Sequence, residues 1–564
     1  MKRFDIRSIS AESWSAVAAI YFIIAVMIPN VTLSFTENYG LWTTLCNLIL
    51  PAGIYLCWAA AARRGGVMVL WGIIFMFFAA FQIVLLSLFG NSIIGADMFT
   101  NVLTTNPGEA KELLGNISGP VAIVCLIYLP LIALGIYVVA KHYRYGERFR
   151  RVTLRCGAAL TLVGIVLLLP SYLVDGGRVL RDKIFPANVS YNLALGFSEL
   201  INVKSFDKTS AGFSYEAHRT AHAAEGREVY IFVIGEASRA YDWQLYGYDR
   251  QTNPCLSSRD DIVVFRNVIT QSNTTHKSVP MILSSVATDQ HDELYRRKGV
   301  PLLFNEAGFK TFFISNQAPQ GAMIDNLAND SGTVEYLHHE YDSALVDRAK
   351  RIMRDNPDED LFIILHCYGS HFSYNERYPR EFAQFTPDTD MTISGGRSEH
   401  LRNAYDNSVL YTDYMLASLI DAVDADGGCA AVLYCSDHGE DLLDDGRRRF
   451  LHASPTVTYY QLHVAALAWF SASYCREFAD KVEAAEANVW APATTHALFH
   501  TLADMASIEG RYVDTSVALS SSDFDWEAPR YYLDDHNRAE KFDASIGLND
   551  DDYRMFYRMG ITRL

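Results

Sequence analysis

Positive charge is scarce in this chain. The 564 residues carry 48 Lys and Arg against 65 Asp and Glu, a formal net charge of −17. The polar part has no basic patch with interleaved aromatics, which argues against nucleic acid as a partner. Ionisable residues are almost absent from the apolar runs of the first third. A transport path through a membrane is lined by such residues, so their absence argues against a transporter. Cysteine pairs at metal-binding spacing are missing too. Of nine cysteines, Cys255, Cys367, Cys429, Cys435 and Cys475 lie in the polar part and form no CxxC. Five is odd, so at least one of those thiols is unpaired within the chain. There are no internal repeats and no low-complexity tract.

What the first third does have is hydrocarbon. Five apolar stretches, roughly 14–35, 41–62, 67–90, 117–140 and 154–174, are long enough to span a bilayer. Lys2, Arg3 and Arg7 precede the first, and Arg63 and Arg64 separate the second from the third. Lys141, Arg144, Arg148, Arg150, Arg151 and Arg155 crowd the loop before the fifth. By the positive-inside rule the N-terminus is cytoplasmic and everything after about 176 lies outside. The first span is too long, and too soon followed by others, for a cleaved signal peptide. These features divide the chain into a transmembrane domain at 1–176, an interfacial linker at 177–225 and a globular domain at 226–564 with an acidic tail from about 522.

Strand signals in the globular part fall at 227–236, 262–265, 309–314, 361–365 and 430–434, with helical patterns at 341–354 and 405–422. Strands alternating with helices predict an α/β fold with a mainly parallel sheet between helices. The carboxyl ends of such strands share one edge, where open α/β sheets bind their ligands. Glu236 ends the first strand, and Asp437-His438 ends the run Ala430–Tyr434. Two carboxylates and an imidazole fill three zinc positions and leave one open, as catalysis requires. Each of these residues alone would more often be an ordinary strand-end hydrogen-bonding group.

Gln271-Ser272-Asn273-Thr274-Thr275-His276-Lys277-Ser278 precedes an apolar run and reads as a helix start. A hydroxyl there, facing a metal, has a lowered pKa and can attack phosphorus. Thr275 is the candidate, with Ser272, Thr274 and Ser278 competing. His371 and His452 follow other strand ends and are candidates for contacts to a substrate phosphate or to a second ion. Asn101, Thr105 and Glu109 recur every four residues in the outside loop 91–116 and share one polar stripe on a helix. A solvated face is the ordinary reading of such a stripe; beside a bilayer it can hold a lipid head group.

The ordered set Gly235-Glu236-Ala237-Ser238-Arg239, Thr252-Asn253-Pro254, Thr274-Thr275-His276-Lys277-Ser278-Val279-Pro280, Gly369-Ser370-His371, Tyr405-Asp406-Asn407-Ser408 and Ser436-Asp437-His438-Gly439-Glu440 with Leu451-His452 resembles the bacterial phosphoethanolamine transferases. The resemblance covers the five-span topology and the outer domain to about 520. It implies a five-helix transmembrane domain followed by an alkaline-phosphatase/sulfatase-like domain, with the protein in the inner membrane and the catalytic domain in the periplasm. It implies Zn²⁺ on Glu236, Thr275, Asp437 and His438, and Thr275 as the nucleophile of a two-step transfer. The donor it implies is phosphatidylethanolamine, the acceptor lipid A or lipopolysaccharide core, and the enzyme a monomer. His371, His452, Asn101, Thr105, Glu109 and Gln320 become its substrate-binding set.

Two departures bear on the acceptor. Gln271 and Met281 stand where lipid A-modifying members often carry a disulfide, and Gln320 stands where a lysine often meets the donor phosphate. One alternative keeps the architecture and changes the donor, giving a phosphoglycerol transferase acting on a glucan or teichoic-type polymer. Another is a membrane scaffold that has lost catalysis. A sulfatase is disfavoured because Ser278-Val279-Pro280-Met281-Ile282 lacks the Arg of the formylglycine-forming frame.

Overall fold

The computed structural model describes residues 10–37, 39–90, 92–104, 117–176, 178–224, 226–319, 321–337, 340–391, 398–543 and 548–563. The chain forms two compact units, Met1–Phe99 with Ile117–Gly196 and Thr100–Asn116 with Phe197–Leu564.

The helices of the first third are α1 (Ala11–Thr36), α2 (Leu41–Ala60), α3 (Gly65–Trp71), α4 (Ile73–Phe89), α5 (Ala96–Thr104), α6 (Ser118–Ala140) and α7 (Glu147–Asp175). Among the described residues α1, α2, α6 and α7 are long and apolar enough to cross a membrane. The third expected span differs from a straight helix: α3 and α4 make a pair bent by 52°. The break falls at Gly72, where a Cβ would lie 2.5 Å from the Phe22 ring. Glycine weakens the helix there and lets that ring approach the backbone. Residues 187–209, read as part of a linker, form a continuous helix, α8 (Ala187–Thr209).

The second unit is built on a seven-stranded sheet. Its strands are β1 (Glu228–Gly235), β2 (Ile262–Phe265), β3 (Lys310–Ser315), β4 (Thr333–Tyr336), β5 (Leu361–His366), β6 (Cys429–Ser436) and β7 (Ala466–Phe470). Their spatial order is β2-β7-β6-β1-β5-β3-β4. Neighbours from β6 to β4 are parallel, while β7 runs antiparallel to both β6 and β2. The sheet is thus parallel at its centre and mixed at one side.

Every residue of β1 is buried. Val229, Ile231 and Val233 join the core that holds Leu345 and Val346 of α10 (Ser343–Asp355) and Leu401 and Leu416 of α11 (Ser398–Asp426). Tyr230, Phe232 and Ile234 join the opposite core with Val279 and Ile282 of α9 (Thr275–Ile282). Covering on both faces explains the unbroken apolar run in β1 where a half-exposed strand would alternate. It also leaves the carboxyl edge as the place where side chains gather.

Candidate active site

Strand register brings the acids together. Gly235 of β1 pairs with Ser436 of β6, so the next residues, Glu236 and Asp437, lie side by side. Gly439 then turns the chain beneath its neighbour. A Cβ there would sit 2.0 Å from the Tyr460 carbonyl oxygen, so only glycine fits. His438 is fully buried, and its Nε2 lies 3.4 Å from both Glu236 Oε1 and Asp437 Oδ2. Its Nδ1 is 2.8 Å from the Gly439 carbonyl. A carbonyl only accepts, so Nδ1 carries a hydrogen and Nε2 is the ring atom that faces the carboxylates.

Thr275, half-buried, opens α9. Its Oγ1 is 3.0 Å from His438 Nε2 and 3.3 and 3.4 Å from the two Glu236 oxygens. The competing hydroxyls face elsewhere or touch fewer of these groups. Ser272 and Thr274 are buried and lie 3.2 Å from each other, and Ser278 donates to Asp437 Oδ2 at 3.3 Å.

The donor set suits a tetrahedral zinc. Ligand atoms of Glu236, Asp437 and His438 all lie within 4.8 Å of one another. Zinc bonds of about 2.0–2.1 Å imply tetrahedral edges of about 3.3–3.4 Å. The two distances from His438 Nε2 to the carboxylates, 3.4 Å each, match such edges. Outer hydrogen bonds hold the ligands. Asp437 Oδ1 accepts from the backbone N–H of Ala237 (3.1 Å) and His438 (2.7 Å). Gln317 Nε2 donates to Glu236 Oε2 and to the Cys367 carbonyl, each at 2.9 Å.

The electrostatics fit a site short of cations. Burial pushes the Asp437 carboxyl up to about 7, and the Glu236 charge adds to the shift. Burial works against a charged His438, but Asp437 and Glu236 outweigh it and draw the imidazole up to about 10. Burial opposes the Glu236 charge as well. His438, with smaller contributions from His371 and His452, holds that carboxyl well below its usual value.

His452 stands beside the cluster, its ring centroid 4.0 Å from that of His438. Its Nδ1 lies 2.8 Å from Glu440 Oε2, and the other Glu440 oxygen accepts from the Tyr374 hydroxyl at 2.8 Å. The carboxylate fixes the His452 hydrogen on Nδ1 and leaves Nε2 as an acceptor. His371 Nδ1 bonds the Phe372 carbonyl at 2.7 Å, and its ring stacks on Tyr368. Arg239, fully buried, reaches the Glu440 carbonyl (2.8 Å) and the Asp444 carboxylate (2.7 and 2.9 Å), and also pairs with Asp242. It ties the loop after β6 to the loop after β1.

Of the residues singled out in the sequence, Glu236, Thr275, Asp437, His438 and His452 are brought together, and His371 acts on Glu236 through its field. Asn101 lies on α5, but its side chain, together with Thr105, Glu109 and Gln320, falls outside the described residues. All nine cysteines are free. Sequence reasoning missed Gln317, Tyr374 and the part played by Glu440. Gln317 had a weak signal, two residues past the end of β3 on the same edge; Tyr374 had none.

Two family models match the chain. One described as phosphoethanolamine transferase EptA/EptB matches residues 66–199, and the sulfatase model matches residues 228–508. A Kdo(2)-lipid A phosphoethanolamine 7''-transferase of Salmonella typhimurium is 27% identical over 429 residues, 68% of this chain and 72% of that protein. The integral membrane protein lipooligosaccharide phosphoethanolamine transferase A (EptA) of Neisseria meningitidis shares the fold, with a TM-score of 0.72 at 21% identity over 89% of this chain and 98% of that one. The C-terminal periplasmic domain of EptC from Escherichia coli, solved in complex with Zn, has a TM-score of 0.53 at 24% identity over 60% of this chain and 97% of that one.

Proposed function

The chain belongs to the phosphoethanolamine transferase family, and from that premise we propose that it moves phosphoethanolamine from phosphatidylethanolamine to lipid A or lipopolysaccharide core in the bacterial inner membrane. The observation that carries the reading is the Thr275 hydroxyl, 3.0 Å from His438 Nε2 and beside Glu236, at the start of a helix.

Glu236, Asp437 and His438, with Thr275 as fourth donor, would hold one zinc ion, which when bound supplies Lewis acidity that lowers the Thr275 pKa. Thr275 Oγ1 attacks the donor phosphorus, and the bond to the diacylglycerol oxygen breaks. The proton lost by Thr275 ends on that oxygen, so diacylglycerol leaves and phosphoethanolamine stays on the enzyme. A phosphate or sugar hydroxyl of the acceptor then attacks the same phosphorus, the bond from phosphorus to Thr275 Oγ1 breaks, and the acceptor's proton returns to that oxygen. In the transition state of each step negative charge grows on the phosphoryl oxygens. His371 and His452 would meet that charge. Glu440 holds His452 in one tautomer throughout. The second unit works in the periplasm, and Asn101, Thr105 and Glu109 meet the lipid donor.

The test is transfer from phosphatidylethanolamine vesicles to purified lipid A by the full-length protein, followed by mass analysis of the acceptor. Phosphoethanolamine-modified lipid A or core is expected. Phosphoglycerol on the acceptor, from phosphatidylglycerol vesicles alone, would give the reaction to the other donor class.

A further inference from the structure

The tail from about 522 onward lies beyond both matched family segments and takes no part in the chemistry above. It nevertheless hydrogen-bonds the segment that carries Thr275. Two tail strands, β8 (Tyr531–Leu533) and β9 (Ala539–Lys541), form an antiparallel hairpin. Asp534 builds its turn: the carboxylate accepts from the backbone N–H of His536 (2.8 Å) and Arg538 (2.9 Å), and Asn537 takes the left-handed conformation with φ 59°.

The hairpin is anchored on both sides. Before it, buried Arg530 donates to the Asn267 side chain at 2.9 Å and lies 4.8 Å over the Phe542 ring. After it comes α12 (Asp550–Met559), capped by Asn549 and tied down by Arg447 on Asp552 (2.9 and 3.0 Å). Tyr532, Phe542 and Phe556 join the core beneath β1.

Gln271 is where this anchored strand meets the site. The Leu533 N–H donates to the Gln271 carbonyl at 2.7 Å. Thr288 Oγ1 donates to the Tyr531 carbonyl (3.1 Å) and accepts from Gln271 Nε2 (3.2 Å). Gln271 Nε2 also donates to the Val286 carbonyl at 3.2 Å, and the Gln271 N–H to Thr495 Oγ1 at 3.0 Å. Gln271 precedes α9 and Thr288 follows it, so these bonds close the two ends of the Thr275 segment on each other and on β8. The helix between them has eight residues with Pro280 inside, too short to hold its own place.

We propose that the tail hairpin is a positioning element of the transfer site, fixing through Gln271 and Thr288 the segment that presents Thr275 to Glu236 and His438. This rests on the reading of Thr275 as nucleophile. Misplacing a reacting group by about 1 Å can cost roughly a hundredfold in rate, so a small loosening has a large effect.

Two variants of the full-length protein test it. Thr288→Val keeps the shape and removes the hydroxyl; Thr288→Ser restores it. In Thr288→Val, amide hydrogen exchange over residues 271–283 should speed up roughly tenfold, because the segment opens more often. Its kcat should fall roughly tenfold with KM and zinc content held, as expected when orientation alone is lost. Thr288→Ser should return both to the parent values. Wild-type exchange and kcat in Thr288→Val would overturn the proposal, as would a loss that Thr288→Ser fails to rescue or that follows loss of zinc. The exchange measurement needs no substrate. A chain that never carries phosphoethanolamine on Thr275 would defeat the function proposed above and still leave the positioning result readable.

Discussion

The two ends of β1 look alike and behave differently. At each end a buried glutamate meets a second acid and a histidine: Glu228 with Asp360 and His222, Glu236 with Asp437 and His438. At the amino end Arg219 pairs with Glu228 and, at 2.8 Å, with Asp360. The Tyr230 hydroxyl adds a bond to Glu228 at 2.7 Å, and His222 is exposed. At the carboxyl end, among the described residues, no Lys or Arg pairs with Glu236 or Asp437. An imidazole and a half-exposed hydroxyl stand there instead. Buried charge must be compensated. A cluster that brings its own guanidinium is a structural tie. A cluster of the same residue types without one could hold a cation.

The sharpest way to break that contrast is Thr275→Ala. It removes a hydroxyl from the carboxyl-end cluster and none of the three charged donors. Turnover should fall by several powers of ten, as for other lost nucleophiles, with fold and zinc content retained. Steady-state transfer and metal analysis of the same sample check this. Next is Asp437→Ala, which removes one of few protein ligands. Zinc should be lost on dialysis and turnover with it. Glu228→Gln, at the other end, should leave zinc and kcat unchanged, while Arg219 keeps Asp360 and loses one of its two carboxylates, at about 2 kcal/mol of stability by denaturant unfolding. Zinc loss in that variant would make the two clusters equivalent and remove the basis of the contrast.

Smaller effects sharpen it. Glu440→Gln releases His452 from its tautomer without touching a donor of the zinc set. Turnover should fall roughly ten- to a hundredfold with zinc retained, the usual scale for outer partners of a metal site. The smallest effect is in acid. Burial raises the Asp444 carboxyl, but Arg239 and Arg402 outweigh it and hold it well below the usual carboxylate range. Stability from such a group is present in full above its unfolded pKa of about 4 and is lost as pH falls toward the folded value. Unfolding midpoints measured from about pH 5 down to about pH 3 should drop, and Asp444→Asn should flatten that slope.

Much of the site was legible because it depends on strand ends. An apolar run followed by Glu236 and another followed by Asp437-His438 sufficed once a parallel sheet was expected, and register did the rest. Thr275 was legible as a hydroxyl at a helix start. The remainder depends on tertiary neighbours. Gln317 reaches Glu236 only because β3 lies beyond β5 in the sheet. Tyr374 is one of 32 tyrosines, and its bond to Glu440 spans 66 residues of chain. Strand β7 escaped because its run Ala466-Leu467-Ala468-Trp469-Phe470 is short and poor in β-branched residues. The bend at Gly72 escaped because hydropathy reports length and not straightness.

The central claim is that Thr275 carries the transferred group. Full-length protein is incubated with phosphatidylethanolamine vesicles without acceptor, quenched, and mapped by peptide mass. The account predicts phosphoethanolamine on Thr275, and its loss when lipid A is added. An adduct on Thr274 or Ser278 instead, or no adduct on any hydroxyl while transfer to lipid A proceeds, would contradict it.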